Sequence, residues 1–221
     1  MASKRNRKKV KFKWTKELII LISSLVVLLV VTIILGIPSA DKKNLNKWNE
    51  AIQNYNSENS TSYSTLTSEN VLKEVSGTDE SHFKNARNKA DKEGYTYFFY
   101  GSLTNATFLE QLYNVNKLAK DYEIEEVYIM YADFYEEAKN NEEIETASFR
   151  TTCKGYEDIL NTGKNGDAKE IDLTIYPALF VYKDNSLIWN SQVGNDSSEY
   201  NWSIYIQKAF SFEQVEKTKN N

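Results

Sequence analysis

Between Leu18 and Ile37 the chain runs for twenty residues without a charge, and the only polar side chains are those of Ser23, Ser24 and Thr32. A helix of that length rises about 30 Å, the hydrocarbon thickness of a bilayer. Leu, Ile and Val fill most positions, each favouring mid-membrane insertion by roughly 0.3 to 0.6 kcal/mol, so the pattern predicts one transmembrane helix over residues 18–37 rather than a buried core helix. From Asp41 the pattern becomes amphipathic, with Leu45, Trp48, Ala51, Ile52 and Tyr55 at helical spacing. The polar stretch Asn56 to Ser62 then reads as a flexible joint, which makes residues 38–62 a juxtamembrane helix and stalk.

Beyond the stalk the periodicities alternate. Tyr63 to Thr67 alternates like a short edge strand, and helical patches are expected around Glu69 to Val75 and around Ser81 to Lys92, the second with Phe83, Ala86 and Ala90 on one face. Tyr95 to Tyr100, a short aromatic run between Gly94 and Gly101, predicts a central buried strand. Thr104 or Asn105 suits the N-cap of the following helix, whose inward face would be Phe108, Leu112, Val115, Ala119 and Tyr122. Val127 to Ala132 is a second strand, and Phe149, Cys153, Tyr156 and Leu160 mark another helical stripe. Ile171, Leu173 and Ile175 lead into Tyr176-Pro177, a strand from Ala178 to Tyr182, a turn at 183–185 and a partner strand from Leu187 to Gln192. Tyr200, Ile204, Ile206, Ala209 and Phe210 make a last amphipathic helix before a polar tail, residues 213–221. Alternating strands and helices followed by a hairpin imply an α/β domain over residues 63–212, a mixed sheet with helices on both faces.

Charge changes the picture at the N-terminus. Residues 1–17 form a basic tail in which Lys4, Arg5, Arg7, Lys8, Lys9, Lys11, Lys13 and Lys16 precede the apolar run. The other 19 bases face 31 acids, the first of them Glu17, so residues 17–221 carry −12. The positive-inside rule therefore predicts a cytoplasmic tail, with the body on the outer side of a plasma membrane. A cleaved secretory signal is the rival reading, because Ser39-Ala40 suits a cleavage site; against it stand the length of the apolar run and Pro38 where a small residue is wanted. Under either reading the body is exported. Its acidity excludes nucleic acid as a natural partner, since phosphates repel it.

Candidate chemistry is sparse. The acids from Asp133 to Glu145 lack the turn-forming glycine and fixed spacing of a cation loop, so no metal is expected and the run reads as a solvated face. His82, the single histidine, has no evident partner for acid–base work. Ser102 and Thr104 have no base nearby in sequence and suit a helix cap. Cys153, the single cysteine, lies on an apolar stripe and reads as a small buried hydrophobe. Sequons at Asn59, Asn105, Asn195 and Asn201 are of a kind that arises by chance in an Asn-rich chain.

The stretch Ile175-Tyr-Pro-Ala-Leu-Phe-Val-Tyr-Lys-Asp-Asn185 resembles the segment of thioredoxin-like proteins in which a cis-proline opens the fourth strand. Phe99-Tyr-Gly-Ser-Leu-Thr104 is similar to the lead-in of membrane-anchored, bacteriocin-accessory-type members of that superfamily. The resemblance covers residues 63–212 and implies a three-layer α/β/α sandwich with its reactive junction after the strand Tyr95–Tyr100. Asn105-Ala-Thr-Phe108 stands where the family has Cys-x-x-Cys, so the thiolate that such proteins use for disulfide exchange is missing. What the resemblance implies is a degenerate, non-enzymatic module without a cofactor. Its groove would be lined by Ser102, Leu103, Thr104, Asn105, Ala106, Thr107 and Phe108 on one side and by Ile175, Tyr176, Pro177 and Ala178 on the other, and would take a protein or peptide partner. The alternative is a one-thiol or vestigial oxidoreductase acting through Cys153, which rapid thiol labelling of folded protein would support and protection until denaturation would oppose.

Overall fold

The computed structural model describes residues 16, 23, 24, 39–75, 80–89, 94–133, 157, 158, 160, 161, 168, 170–192 and 201–219. The chain divides into two compact units, Met1–Ser39 and Ala40–Asn221. In the first unit Lys16, Ser23 and Ser24 are helical, and the rest of the predicted membrane span lies outside the described residues. No helix among the described residues is long and apolar enough to cross a membrane.

The second unit is an α/β domain with a five-stranded mixed sheet. Its elements are α1 (Ala40–Asn59), β1 (Leu72–Glu74), α2 (Glu80–Arg87), β2 (Tyr95–Gly101), α3 (Ala106–Asp121), β3 (Val127–Tyr131), β4 (Ala178–Lys183), β5 (Ser186–Asn190) and α4 (Trp202–Lys219). The strands lie in the order β1-β3-β2-β4-β5. β1 and β2 each pair in parallel with β3, while β4 runs antiparallel to both β2 and β5. β2 is therefore central and buried along its whole length, as an aromatic run between two glycines predicts.

Alternation along β2 divides the core in two. Tyr95, Tyr97 and Phe99 join Trp48 and Ile52 of α1, Phe108, Leu112 and Val115 of α3, and Ile206 and Phe210 of α4 on one face. Phe98 and Tyr100 join Phe83 of α2, Phe180 and Tyr182 of β4, and Leu160 on the other. The period-2 placement of strand side chains accounts for this split, because successive residues point to opposite faces. Asp184 and Asn185 both adopt left-handed φ (48° and 65°), which closes the β4–β5 hairpin in a turn matched to strand twist.

Several expectations need correction. Residues 56–62 are not a loose joint: α1 reaches Asn59, and the Asn56 carboxamide accepts from Thr61 Oγ1 and Tyr63 N–H and donates to the Tyr63 carbonyl. With Trp48 and Ile52 wholly buried, α1 belongs to the domain, and the unit boundary falls after Ser39 rather than after residue 62. Residues 61–67 form no strand; Asn49 of α1 exchanges two hydrogen bonds with Leu66 (2.9 and 2.7 Å), while the expected helical patch at 69–75 supplies β1. Helical spacing lost there because Leu72, Lys73 and Glu74 find backbone partners on β3. Finally, α4 runs on through residues 213–219 with Glu213 buried against the Tyr97 hydroxyl (3.1 Å), whereas Ile204, expected inside, is exposed.

Candidate functional site

The β2–α3 junction is built by capping. Asn105 has extended backbone, and its Oδ1 accepts from the Phe108 N–H at 2.9 Å, satisfying one of the donors a helix start leaves open. The Asn105 N–H donates to the Ser102 carbonyl (3.1 Å), and the Thr104 N–H donates to Ser102 Oγ (3.1 Å). The hydroxyls of Ser102 and Thr104 share a further bond of 2.8 Å. Ser102 is buried and committed to this turn, so it fits a structural rather than a nucleophilic role.

Sheet pairing brings the second arm alongside. Tyr100 pairs with Ala178, so the residues just before β4 lie next to those just after β2. The Tyr176-Pro177 bond is cis, as the resemblance of residues 175–185 implies. The Tyr176 ring meets that of Tyr100 edge-on at 5.9 Å, and the Tyr100 hydroxyl donates to the Leu173 carbonyl at 2.8 Å.

The expected groove residues then separate into two groups. Thr104 is exposed, and Leu103, Asn105, Ala106, Thr107, Ile175, Tyr176 and Pro177 are half-buried, so these can meet a partner. Ser102, Phe108 and Ala178 are buried, and their place in a groove lining is corrected. Phe108 is wholly buried and stacks on Phe99 with ring centroids 4.7 Å apart. It also lies beneath Gly101, where a Cβ would come within 2.3 Å of Phe108 Cδ2. Phe108 is thus a core residue, and the position that the resemblance assigns to a second thiol is filled by a phenyl ring.

Cys153 lies outside the described residues, as do the acids after Asp133 up to Glu145. His82 falls in α2. No group of three or more His, Cys, Asp or Glu side chains among the described residues could hold a metal ion.

Two polar constructions near the junction were not legible beforehand. Tyr131, which pairs with Gly101, accepts from Trp48 Nε1 (2.7 Å) and donates to Glu74 (3.1 Å), while Lys47 lies over its ring at 3.9 Å. Burial first, and the Glu74 carboxylate second, hold the Tyr131 phenol well above the ordinary tyrosine range. On the other arm, residues 171–175 are held by side chains from three directions. Asn161 exchanges two hydrogen bonds with Ile171 (2.8 and 3.3 Å), Glu157 accepts from the Leu173 N–H (3.1 Å), and Gln192 reaches Asp172 and Ile175. Polar residues at a strand end read in sequence as solvated, so periodicity gives no sign of these contacts.

Neither a family model, nor a curated protein, nor a solved structure matches this chain.

Proposed function

We propose that the domain is a catalytically inactive thioredoxin-like module, anchored by residues 18–37 with its N-terminus cytoplasmic, that binds a protein or peptide in an envelope or secretion process. The observation that carries this reading is the adjacency of two half-exposed arms, Leu103–Thr107 and Ile175–Pro177, brought together by the Tyr100–Ala178 pairing. The proline-led strand is the fourth of five and lies antiparallel to the strand that feeds the junction, in keeping with the resemblance. Asn105 and Phe108 carry no sulfur, which leaves surface complementarity rather than thiol exchange as the work of this site. An extended partner suits two adjacent arms that offer both apolar and polar accessible side chains, with Leu103, Ile175 and Tyr176 as the anchors.

Photo-crosslinking tests the reading in the native envelope. Full-length protein with Thr104→benzoylphenylalanine should give a discrete adduct, and the same probe at Val215, 52% exposed on α4, should not. Equal labelling from both positions, or none from Thr104, overturns it. Protease added to wall-stripped cells should remove the body and leave an N-terminal fragment; a protected body would reverse the assigned topology.

A further inference from the structure

Three consecutive polar residues at the end of β5 are among the least exposed in the domain: Asn190 at 2%, Ser191 at 0% and Gln192 at 4%. Each uses its side chain on backbone. Gln192 Nε2 donates to the carbonyls of Asp172 (2.6 Å) and Ile175 (2.9 Å), and its Oε1 accepts from the Asp172 N–H (2.8 Å). Ser191 Oγ accepts from the Leu179 N–H (2.8 Å), and the Ser191 N–H returns a bond to the Leu179 carbonyl (2.9 Å). Asn190 Oδ1 accepts from the Gln192 N–H (2.9 Å), which fixes the origin of the Gln192 side chain. The contacts fall on residues 172–175 and on residue 179, so they bracket Tyr176 and Pro177 from both sides.

Burying three polar side chains in a row is costly unless each is satisfied, and apolar side chains of the same shape would fill the space as well. What satisfied carboxamides and hydroxyls add is direction, because they fix where a neighbouring backbone stands. We propose that Asn190, Ser191 and Gln192 are positioning residues for the Pro177 arm of the groove, with Gln192 as the principal member. The proposal rests on the binding reading above and adds to it how the arm is kept in its binding geometry before a partner arrives. A partner then meets an ordered arm and loses little affinity to loop ordering, the general advantage of preorganisation.

The test uses full-length protein carrying the Thr104 photoprobe in its own membrane, with Gln192→Met as the variant. Met keeps approximate length and volume and removes all three Gln192 side-chain bonds. Backbone amides of Asp172 to Tyr176 should exchange faster, and the yield of the Thr104 adduct should fall about fivefold or more. Thr96→Val supplies the control: it removes a buried hydrogen bond to the Arg87 carbonyl (3.2 Å) at the far end of β2, roughly 17 Å from Gly101 by strand rise. It should lower thermal stability and leave the adduct unchanged. Restoring a carboxamide with Gln192→Asn should recover part of the yield. Faster exchange with full adduct yield overturns the positioning role and leaves the groove intact. Equal loss of adduct in Thr96→Val reduces the effect to general stability and also overturns it. No adduct even with Gln192 present removes the groove reading and this one with it.

Discussion

Gly101→Ala is the sharpest probe of the junction. The new Cβ would stand 2.3 Å from Cδ2 and 2.7 Å from Cγ of Phe108, where ordinary contact begins at 3.4 Å. Neither side has room to yield. Phe108 is wholly buried and stacked on Phe99, and Gly101 is held by its pairing with Tyr131 and by the Ala132 N–H donating to its carbonyl at 2.8 Å. Overpacking of a rigid core costs about 1–3 kcal/mol, and the depth of this overlap puts the variant near 3 kcal/mol, at the upper end of that range. Phe108→Ala leaves a cavity and costs about 4 kcal/mol. Simple addition gives about 7 kcal/mol for the pair. The double variant should nevertheless cost only about 4 kcal/mol, because truncating the Phe108 ring removes the atoms that clash, so the coupling is about 3 kcal/mol. Urea unfolding of the body from Ala40, followed by the fluorescence of buried Trp48, Trp189 and Trp202, measures all three. With a slope of about 2 kcal/mol per molar, Gly101→Ala should lower the midpoint by about 1.5 M. Additive costs, or a Gly101→Ala midpoint within experimental error of wild type, would refute the packing account of why the core ring sits at this position.

Three further outcomes follow from the same geometry. Tyr128 and Tyr131 keep their phenols protonated above the ordinary value, mainly through burial, and their carboxylate neighbours Glu126 and Glu74 act in the same direction. The unfolded chain sheds these protons above about pH 10, so stability should be full below that pH and fall by up to about 1.4 kcal/mol per pH unit for each tyrosine above it; Tyr131→Phe should remove one such slope, as read from urea midpoints across pH 9 to 11. Asn105→Ala should cost about 1 kcal/mol through the lost cap and Asn105→Ser less than half of that, and equal losses would remove capping as the role of Asn105. Asn105→Cys with Phe108→Cys should give a pair that closes under oxidant, detected by loss of alkylation in mass spectrometry, since residues three apart at a helix start are neighbours on one face; persistent free thiols would refute the register that equates 105–108 with a dithiol motif.

The elements that the chain announces most clearly are those whose apolar pattern is unbroken. Tyr95–Gly101, Val127–Tyr131 and Ala178–Lys183 are strands because each is largely apolar over a length too short for a helix, and the face of α3 was fixed by Phe108, Leu112, Val115 and Ala119 alone. The cap at Asn105 follows an equally local rule, whereas the cis bond before Pro177 was implied only by the resemblance. β1 escaped this reading because three residues with one buried apolar side chain carry no period; only the backbone of β3 makes them a strand. Asn49, Asn56 and Asn161 look solvated in sequence, yet each closes on a distant backbone amide and carbonyl, since a carboxamide offers the same donor–acceptor pair as a strand edge. The candidate groove divides in the same way. Sequence was enough to exclude thiol chemistry there, because that depends on which atoms are present. Which residues face outward, that Phe108 is core, and that Asn190, Ser191 and Gln192 hold the opposite arm were decided by sheet order and register, which depend on contacts between residues far apart in the chain.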